Sequence, residues 1–154
     1  MGTAHLVVDA ETLVWRAHGP ATGAIFLRAA PHAFPAEGWD DFVVVILDAW
    51  LEALLGLLSS TTGAVQEVWF MEGPYAVRLQ RTSASDMDLA CVERDQDIVL
   101  TASAPILAFA RGALDGAETI LAALPPEAAP SNRDAARLRE HVIRLKTRLI
   151  QPST

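Results

Sequence analysis

The chain contains a single cysteine, Cys91, among its 154 residues. One thiol excludes an internal disulfide and a cysteine-based zinc cluster, and such sparse use of cysteine is typical of proteins in a reducing cytoplasm. The first fifteen residues lack a basic stretch followed by an apolar one, so the sequence predicts no secretion signal. We therefore expect a cytoplasmic protein.

Motifs of catalysis and cofactor binding are also missing. The sequence has no glycine-rich phosphate loop, no GxSxG and no HExxH. Its four histidines, His5, His18, His32 and His141, do not have the spacing of metal ligands. Cys91 alternates with apolar residues in its segment, which indicates a buried and unreactive thiol. The sequence therefore favours a protein that is not an enzyme and binds neither a cofactor nor a metal.

Charge is unevenly distributed along the chain, whose net charge is −7. Residues 1–130 carry 17 acidic and 6 basic side chains, whereas residues 131–154 carry 2 and 6. The acidic part would repel phosphates, so nucleic acid is not an expected partner, and a basic protein is. Four arginines of the last segment share one helix face, which we interpret as docking on the acidic part or as a solvated surface. They are Arg133, Arg137, Arg144 and Arg148.

The longest apolar segment runs from residue 40 to residue 58 and predicts one helix that is buried on most of its circumference. Asp41, Asp48 and Glu52 fall on one stripe of this helix, which we interpret as its only solvated side. Asp40 is the predicted N-cap. A membrane span is not expected, because a charged side chain costs about 2.5–3.5 kcal/mol at the centre of a bilayer.

The remaining pattern predicts a single α+β domain. Short strands are expected at 5–9, 12–17 and 24–29, and a four-strand antiparallel meander at 65–103, because the connections between its strands are short. Together they predict a mainly antiparallel sheet of about six or seven strands, which the N-terminal strands extend. The sheet packs against the central helix and helices at 106–124 and 132–150. In the second helix, Gly112 and Gly116 predict either a closely approaching backbone or a break.

One corner of the predicted sheet combines aromatic and acidic residues. A Gly-Pro pair follows the strand that ends near residue 70, and a tyrosine comes directly after it. A tryptophan also precedes the two aspartates at the start of the central helix. The functional interpretation is a partner-binding surface, and the plainer one is a hairpin turn with its tyrosine folded over the sheet. The candidate partner-binding residues are Trp39, Asp40, Asp41, Glu72 and Tyr75.

Segments 39–58 and 70–75 together resemble small bacterial proteins in which a Trp-Asp pair leads an apolar helix and a strand ends in a Gly-Pro-Tyr corner. Some proteins of this build are similar to immunity proteins, which protect a bacterium from a secreted toxin. The resemblance implies an interaction protein. Together with the acidic charge and the missing motifs, it leads us to expect a non-enzymatic, immunity-type inhibitor with an acidic face for a basic partner. Two alternatives remain open. One is a small-molecule-binding domain or minor enzyme with a pocket between sheet and helices; the other is a homodimer through Leu138, Val142, Leu145 and Leu149.

Overall fold

The computed structural model describes residues 3–15, 19–125 and 133–150. In these ranges the chain forms eight strands and three helices. They are β1 (His5–Val14), β2 (Thr22–Ala29), β3 (His32–Phe34), β4 (Asp40–Asp41), α1 (Val43–Leu58), β5 (Val65–Trp69), β6 (Tyr75–Arg81), β7 (Asp86–Glu93), β8 (Asp97–Pro105), α2 (Ile106–Ala123) and α3 (Arg133–Ile150). The α+β class and the four-strand meander are confirmed. The predicted strand residues 16–17 and helix residue 132 lie outside the described ranges.

The strands divide between two antiparallel sheets, which corrects the expectation of one continuous sheet. In the first sheet β2 pairs with β1 along one edge and with β3 and β4 along the other, so β2 has no free edge. The second sheet has the order β5-β6-β7-β8. A parallel bridge between Thr3 and Ser103 connects the two, and the Ala4 N–H donates to the Ser103 carbonyl at 2.9 Å. The N-terminal strands thus reach the meander at one bridge.

Helix α1 is the centre of the fold, as expected, but it begins at Val43 and not at Asp40. Asp40 and Asp41 instead pair with β2, and the N-cap residue Phe42 makes no side-chain cap. The helix contacts β2, β5, α2 and α3, and Trp50 at its middle is fully buried. In the described ranges, no helix has both the length and the hydropathy that crossing a membrane requires.

The prediction that the acids of α1 form its solvated side is wrong. Asp41 and Asp48 are buried, at 0% and 7% exposure, and only Glu52 is exposed. Asp41 lies in β4 before the helix, and α3 covers the side of α1 that carries Asp48. The stripe is therefore an internal contact surface for most of its length.

Helix α3 packs on α1 and α2 through the side chains that the sequence offered as a homodimer seam. Leu138, Val142 and Leu145 are buried within the chain and Leu149 is half-buried against the same core, so this seam is not available for a second copy. Of the four arginines on its predicted basic face, Arg133, Arg137 and Arg144 are exposed, and Arg148 docks on the rest of the chain, where Lys146 makes a second contact. Lys146 forms an ion pair with Glu118 at 3.0 Å, and Arg148 donates to the Leu58 carbonyl at 3.1 Å.

Helix α2 is unbroken at its two glycines. A Cβ on Gly116 would lie 3.0 Å from Cγ2 of Val8 in β1, so the close approach there is made by a side chain of the first sheet. A Cβ on Gly112 would meet nothing within 4 Å. Packing therefore requires a small residue at Gly116 and not at Gly112.

Replacing Gly112 with alanine is expected to raise the free energy of unfolding by about 0.5–1 kcal/mol, because alanine restricts the unfolded chain and strains nothing in the helix. Gly116→Ala is the matched control in the same helix, and contact with Val8 should cancel or reverse its gain. Urea denaturation of both variants measures the difference. If the Gly112→Ala protein were no more stable than the parent, the conclusion that a side chain fits at position 112 without contact would be contradicted.

Candidate functional site

Asp41 connects the two sheets at the corner that the sequence predicts to bind a partner. Its Oδ1 accepts the Phe42 N–H at 2.7 Å, and its Oδ2 accepts Nε1–H of Trp39 at 2.9 Å and the N–H groups of Met71 and Glu72 at 3.1 and 3.2 Å. These four donors replace the water that the fully buried carboxylate has lost. Because Asp41 belongs to the first sheet and the two amides follow β5 of the second, one side chain ties the sheets together.

Four aromatic rings pack beside this carboxylate. Phe34 meets Phe70 and Tyr75 edge to face, with centroid distances of 5.9 and 5.6 Å, and Trp39 meets Tyr75 at 5.4 Å. A Cβ on Gly73 would lie 2.7 Å from the Tyr75 ring, so the residue before the proline must be glycine for the ring to fold over the corner. Tyr75 is therefore part of the packing that closes the corner.

The structure brings four of the five predicted partner-binding residues together, with the fifth, Asp40, next to Asp41 in β4. Asp40 and Glu72 are exposed, whereas Trp39 and Tyr75 are half-buried with their rings against each other. Asp41 is not exposed at this surface, because both of its oxygens are enclosed and hydrogen-bonded within the fold. The sequence could not show this, since two of its donors lie thirty residues further along the chain.

The outer face of the second sheet carries an apolar surface that the sequence reasoning missed. Trp69 pairs with Ala76, Ala76 with Val92, and Val92 with Ile98, so one residue from each strand lies in register. Ala76 and Val92 are buried but lie outside the core cluster, while Trp69 and Ile98 are 40% and 58% exposed. We call these four residues the apolar row. The one feature of the sequence that could have indicated this row is the alternation along β5, which places Trp69 on the face opposite to the buried Val68.

Carboxylates surround the apolar row. Glu67 accepts the indole N–H of Trp69 at 2.8 Å and pairs with Arg78 at 2.9 Å, and Asp95 pairs with the same guanidinium at 3.0 Å. The hydrogen bond and charge of Glu67, followed by the charge of Asp95, raise the pKa of Arg78 above its ordinary value. Two carboxylates against one guanidinium leave negative charge beside the row.

A shallow depression of about 300 Å³ lies on the same face, next to the apolar row. Val65, Ala90 and Thr101 form part of its lining, and Asp88 contributes a carboxylate. Asp88 is exposed and forms no ion pair with any residue in the described part of the chain. The depression can therefore accept a cationic side chain, whose methylene groups would contact its apolar lining.

A second buried carboxylate joins α1 to α3. Oδ1 of Asp48 lies 2.5 Å from Nδ1 of His141, and the two side chains are 10% and 12% exposed. Burial raises the pKa of Asp48, whereas the hydrogen bond and charge of His141 and the charge of Arg137 oppose that rise. Among the described residues, no hydroxyl or thiol is hydrogen-bonded to His141, so the pair lacks the nucleophile of a catalytic triad. Its role here is to connect two helices.

Cys91 is buried at 0% exposure, and burial raises the pKa of its thiol to about 12. The thiol is therefore protonated and unreactive at neutral pH, as its place in the sequence pattern indicates. Within residues 3–15, 19–125 and 133–150, no group of three His, Cys, Asp or Glu side chains could hold a metal ion.

Comparison of the chain with protein-family models, with curated proteins and with solved structures gives no match. What the protein does must therefore follow from its own surfaces. The most unusual of these is the outer face of the second sheet, where exposed apolar side chains and carboxylates lie together.

Proposed function

We propose that the protein is a non-enzymatic, cytoplasmic protein-binding module of the immunity type, and that it holds a basic partner protein against the outer face of its second sheet. One observation carries the proposal. Of the nine large hydrophobic side chains exposed in the described ranges, five belong to β5, β8 or the corner between β5 and β6. Such a concentration of exposed apolar surface is typical of interaction sites. The five are Val65, Trp69, Met71, Ile98 and Val99.

The chemistry of this face selects a partner with both apolar and cationic groups. Glu67 and Asp95 both pair with the guanidinium of Arg78, and Asp88 adds a third carboxylate without an ion pair in the described ranges, so these groups are negative in sum. Trp69 offers the kind of large aromatic side chain that contributes most to binding energy at interfaces. The net charge of −7 would also attract a basic protein over longer distances and accelerate its association.

The predicted corner belongs to the same surface through its exposed members. Trp69 and Ala76 are the last pair of β5 and β6 before the corner, where Met71 and Glu72 are exposed. The buried Asp41 and the aromatic rings beneath would keep this edge rigid. A rigid surface loses little conformational entropy when it binds, which favours affinity.

The test begins with the chain as bait in a lysate of its native host, followed by identification and purification of the captured protein. The affinity of the purified pair is then measured by calorimetry at low and at high salt. Trp69→Ser and Asp88→Lys are each expected to weaken binding at least about tenfold, equivalent to about 1.4 kcal/mol. High salt is expected to weaken binding of the parent protein, because it screens the charges.

Val14→Ser is the matched control, because Val14 is 48% exposed in a strand of the other sheet. It should leave the affinity unchanged. Thermal unfolding of every variant shows whether the fold is kept. Equal affinity of the parent, Trp69→Ser and Asp88→Lys proteins, or an affinity that does not respond to salt, would contradict the proposal.

A further inference from the structure

A cleft with two arginines lies at the end of α1, in a protein whose net charge is negative. Its volume is about 340 Å³, and it is bounded by the end of α1, the turn between β6 and β7, the start of α2 and the end of α3. Its lining includes Leu58, Arg81, Ser85, Leu107, Arg148 and Leu149. None of these residues belongs to the proposed partner surface, so the cleft is independent of it.

Arg81 is held rigidly by backbone carbonyls. Its Nη1 donates to the carbonyls of Leu57 and Ser60 at 3.1 and 2.5 Å, and its Nε and Nη2 donate to those of Ser83 and Ala84 at 3.1 and 2.9 Å. All of these acceptors are neutral. The charge of Arg81 therefore remains uncompensated by an ion pair within the described residues.

The nearby turn does not supply that missing carboxylate. Asp86 lies in it, but Oδ2 of Asp86 accepts hydrogen bonds from the hydroxyls of Ser83 and Ser85, at 3.3 and 3.2 Å. No contact within ion-pair distance joins it to Arg81 in the part of the chain that the structure describes. The cleft therefore keeps an excess of positive charge.

Arg148 is the group that can bind a ligand directly. One Nη2–H donates to the Leu58 carbonyl at 3.1 Å, while its Nε and Nη1 have no hydrogen-bond partner among the described residues. The second N–H of Nη2 is also free within those ranges, and with that of Nε or Nη1 it forms the pair of parallel donors that matches the two oxygens of a carboxylate. Most N–H groups of Arg81 are already bonded to carbonyls, so Arg81 contributes chiefly its charge to the cleft, and Arg148 contributes the free donors.

The other lining residues indicate what the carboxylate is attached to. Leu107 is 45% exposed at the start of α2, and Leu149 is half-buried on α3. We propose that the cleft binds a small organic carboxylate with a short apolar chain. The carboxylate would bind Arg148 in the field of Arg81, and the chain would cover Leu107 and Leu149. A volume of about 340 Å³ suits a small ligand of this kind.

To test this proposal, sodium octanoate is titrated into the ¹⁵N-labelled full chain, and the amide signals are followed by NMR. The expected result is saturable shifts at Ser85, Leu107 and Leu149, with a dissociation constant of about 1 mM or tighter. Leu107→Glu places a negative charge at an exposed position of the cleft and should weaken binding at least about tenfold through charge repulsion and loss of apolar contact. Arg148→Gln should weaken binding as well, since it removes the charge that faces the ligand.

Three controls separate this site from non-specific binding. Ile143→Glu adds the same charge at an exposed position of α3 and should leave octanoate binding unchanged. Octyltrimethylammonium, which has the same chain with the opposite charge, and inorganic phosphate, which has no chain, should not shift the cleft amides. Thermal unfolding verifies that each variant is folded. Absent shifts with octanoate, unaltered affinity in folded Leu107→Glu, or equal binding of the ammonium compound would each overturn the proposal.

Discussion

Replacing Asp41 with alanine is expected to lower the free energy of unfolding by about 3–5 kcal/mol. The change removes the acceptor of four N–H groups at once, from Trp39, Phe42, Met71 and Glu72. These donors lie in a part-buried corner, where water cannot replace the carboxylate for all of them. The hydrogen bonds that join the two sheets at this corner are lost in the same step. Urea denaturation followed by tryptophan fluorescence measures the change.

Two further variants test the explanation. Asp40→Ala, at the exposed neighbouring position, should change stability by less than about 0.5 kcal/mol. Asp41→Asn should fall between the two, because an amide oxygen can still accept the three bonds made to Oδ2, while its NH₂ group would face the Phe42 N–H. If Asp41→Ala were as stable as Asp40→Ala, the corner would not be held together by this carboxylate.

Replacing His141 with leucine is expected to lower the free energy of unfolding at neutral pH by about 2–4 kcal/mol. The substitution leaves the Asp48 carboxylate, 10% exposed between α1 and α3, without its hydrogen-bond partner. The double variant Asp48→Leu with His141→Leu should recover most of the loss, because two apolar side chains then replace the whole pair. Glu52→Leu, an exposed acid on the same helix, is the control and should be nearly neutral.

The pH dependence of the His141→Leu protein provides a check on this mechanism. Burial raises the pKa of Asp48 above its ordinary value of 3.8, so the folded state takes up the proton at a higher pH than the unfolded state does. Ionised Asp48 is therefore destabilising, and this destabilisation disappears as the pH falls through the raised pKa. The parent shares this effect, but the variant also loses the hydrogen bond and charge of His141, which lower the pKa of Asp48, so it takes up the proton at a still higher pH. The stability deficit of His141→Leu relative to the parent should therefore shrink on acidification toward pH 3.8. A deficit that stayed constant would contradict the role of the carboxylate.

The acids of α1 show where sequence reasoning reaches its limit. Helical periodicity correctly grouped Asp48 and Glu52 on one stripe and the apolar residues on the others. It could not tell whether that stripe faces water or another element, because the partner of Asp48 lies 93 residues away in α3. The apolar side chains of α3 are likewise far in sequence from the helices on which they pack. Their spacing fits packing within the chain as well as packing between two copies, so the sequence did not distinguish the two.

Strand pairing was predictable only where the connections are short. The meander from β5 to β8 follows from tight turns that leave no other neighbour. In the first sheet, the short strands β3 and β4 pair with opposite ends of the same edge of β2. A two-residue strand has no periodic signal, and Asp40 and Asp41 instead fit the pattern of a helix start. The apolar row was missed for a related reason, because alternation does not say which face of a sheet is solvated.

The order in which the chain is synthesised has a consequence for α1. When this helix leaves the ribosome, only the strands of the first sheet have been made, and about ninety residues must follow before α3 is complete. At typical rates of about 5–20 residues per second, that interval lasts roughly 5–20 s. Throughout it, the most apolar segment of the nascent chain has no cover on one side. The newly synthesised chain should therefore depend on chaperones that shield exposed apolar segments, whereas the folded protein should not.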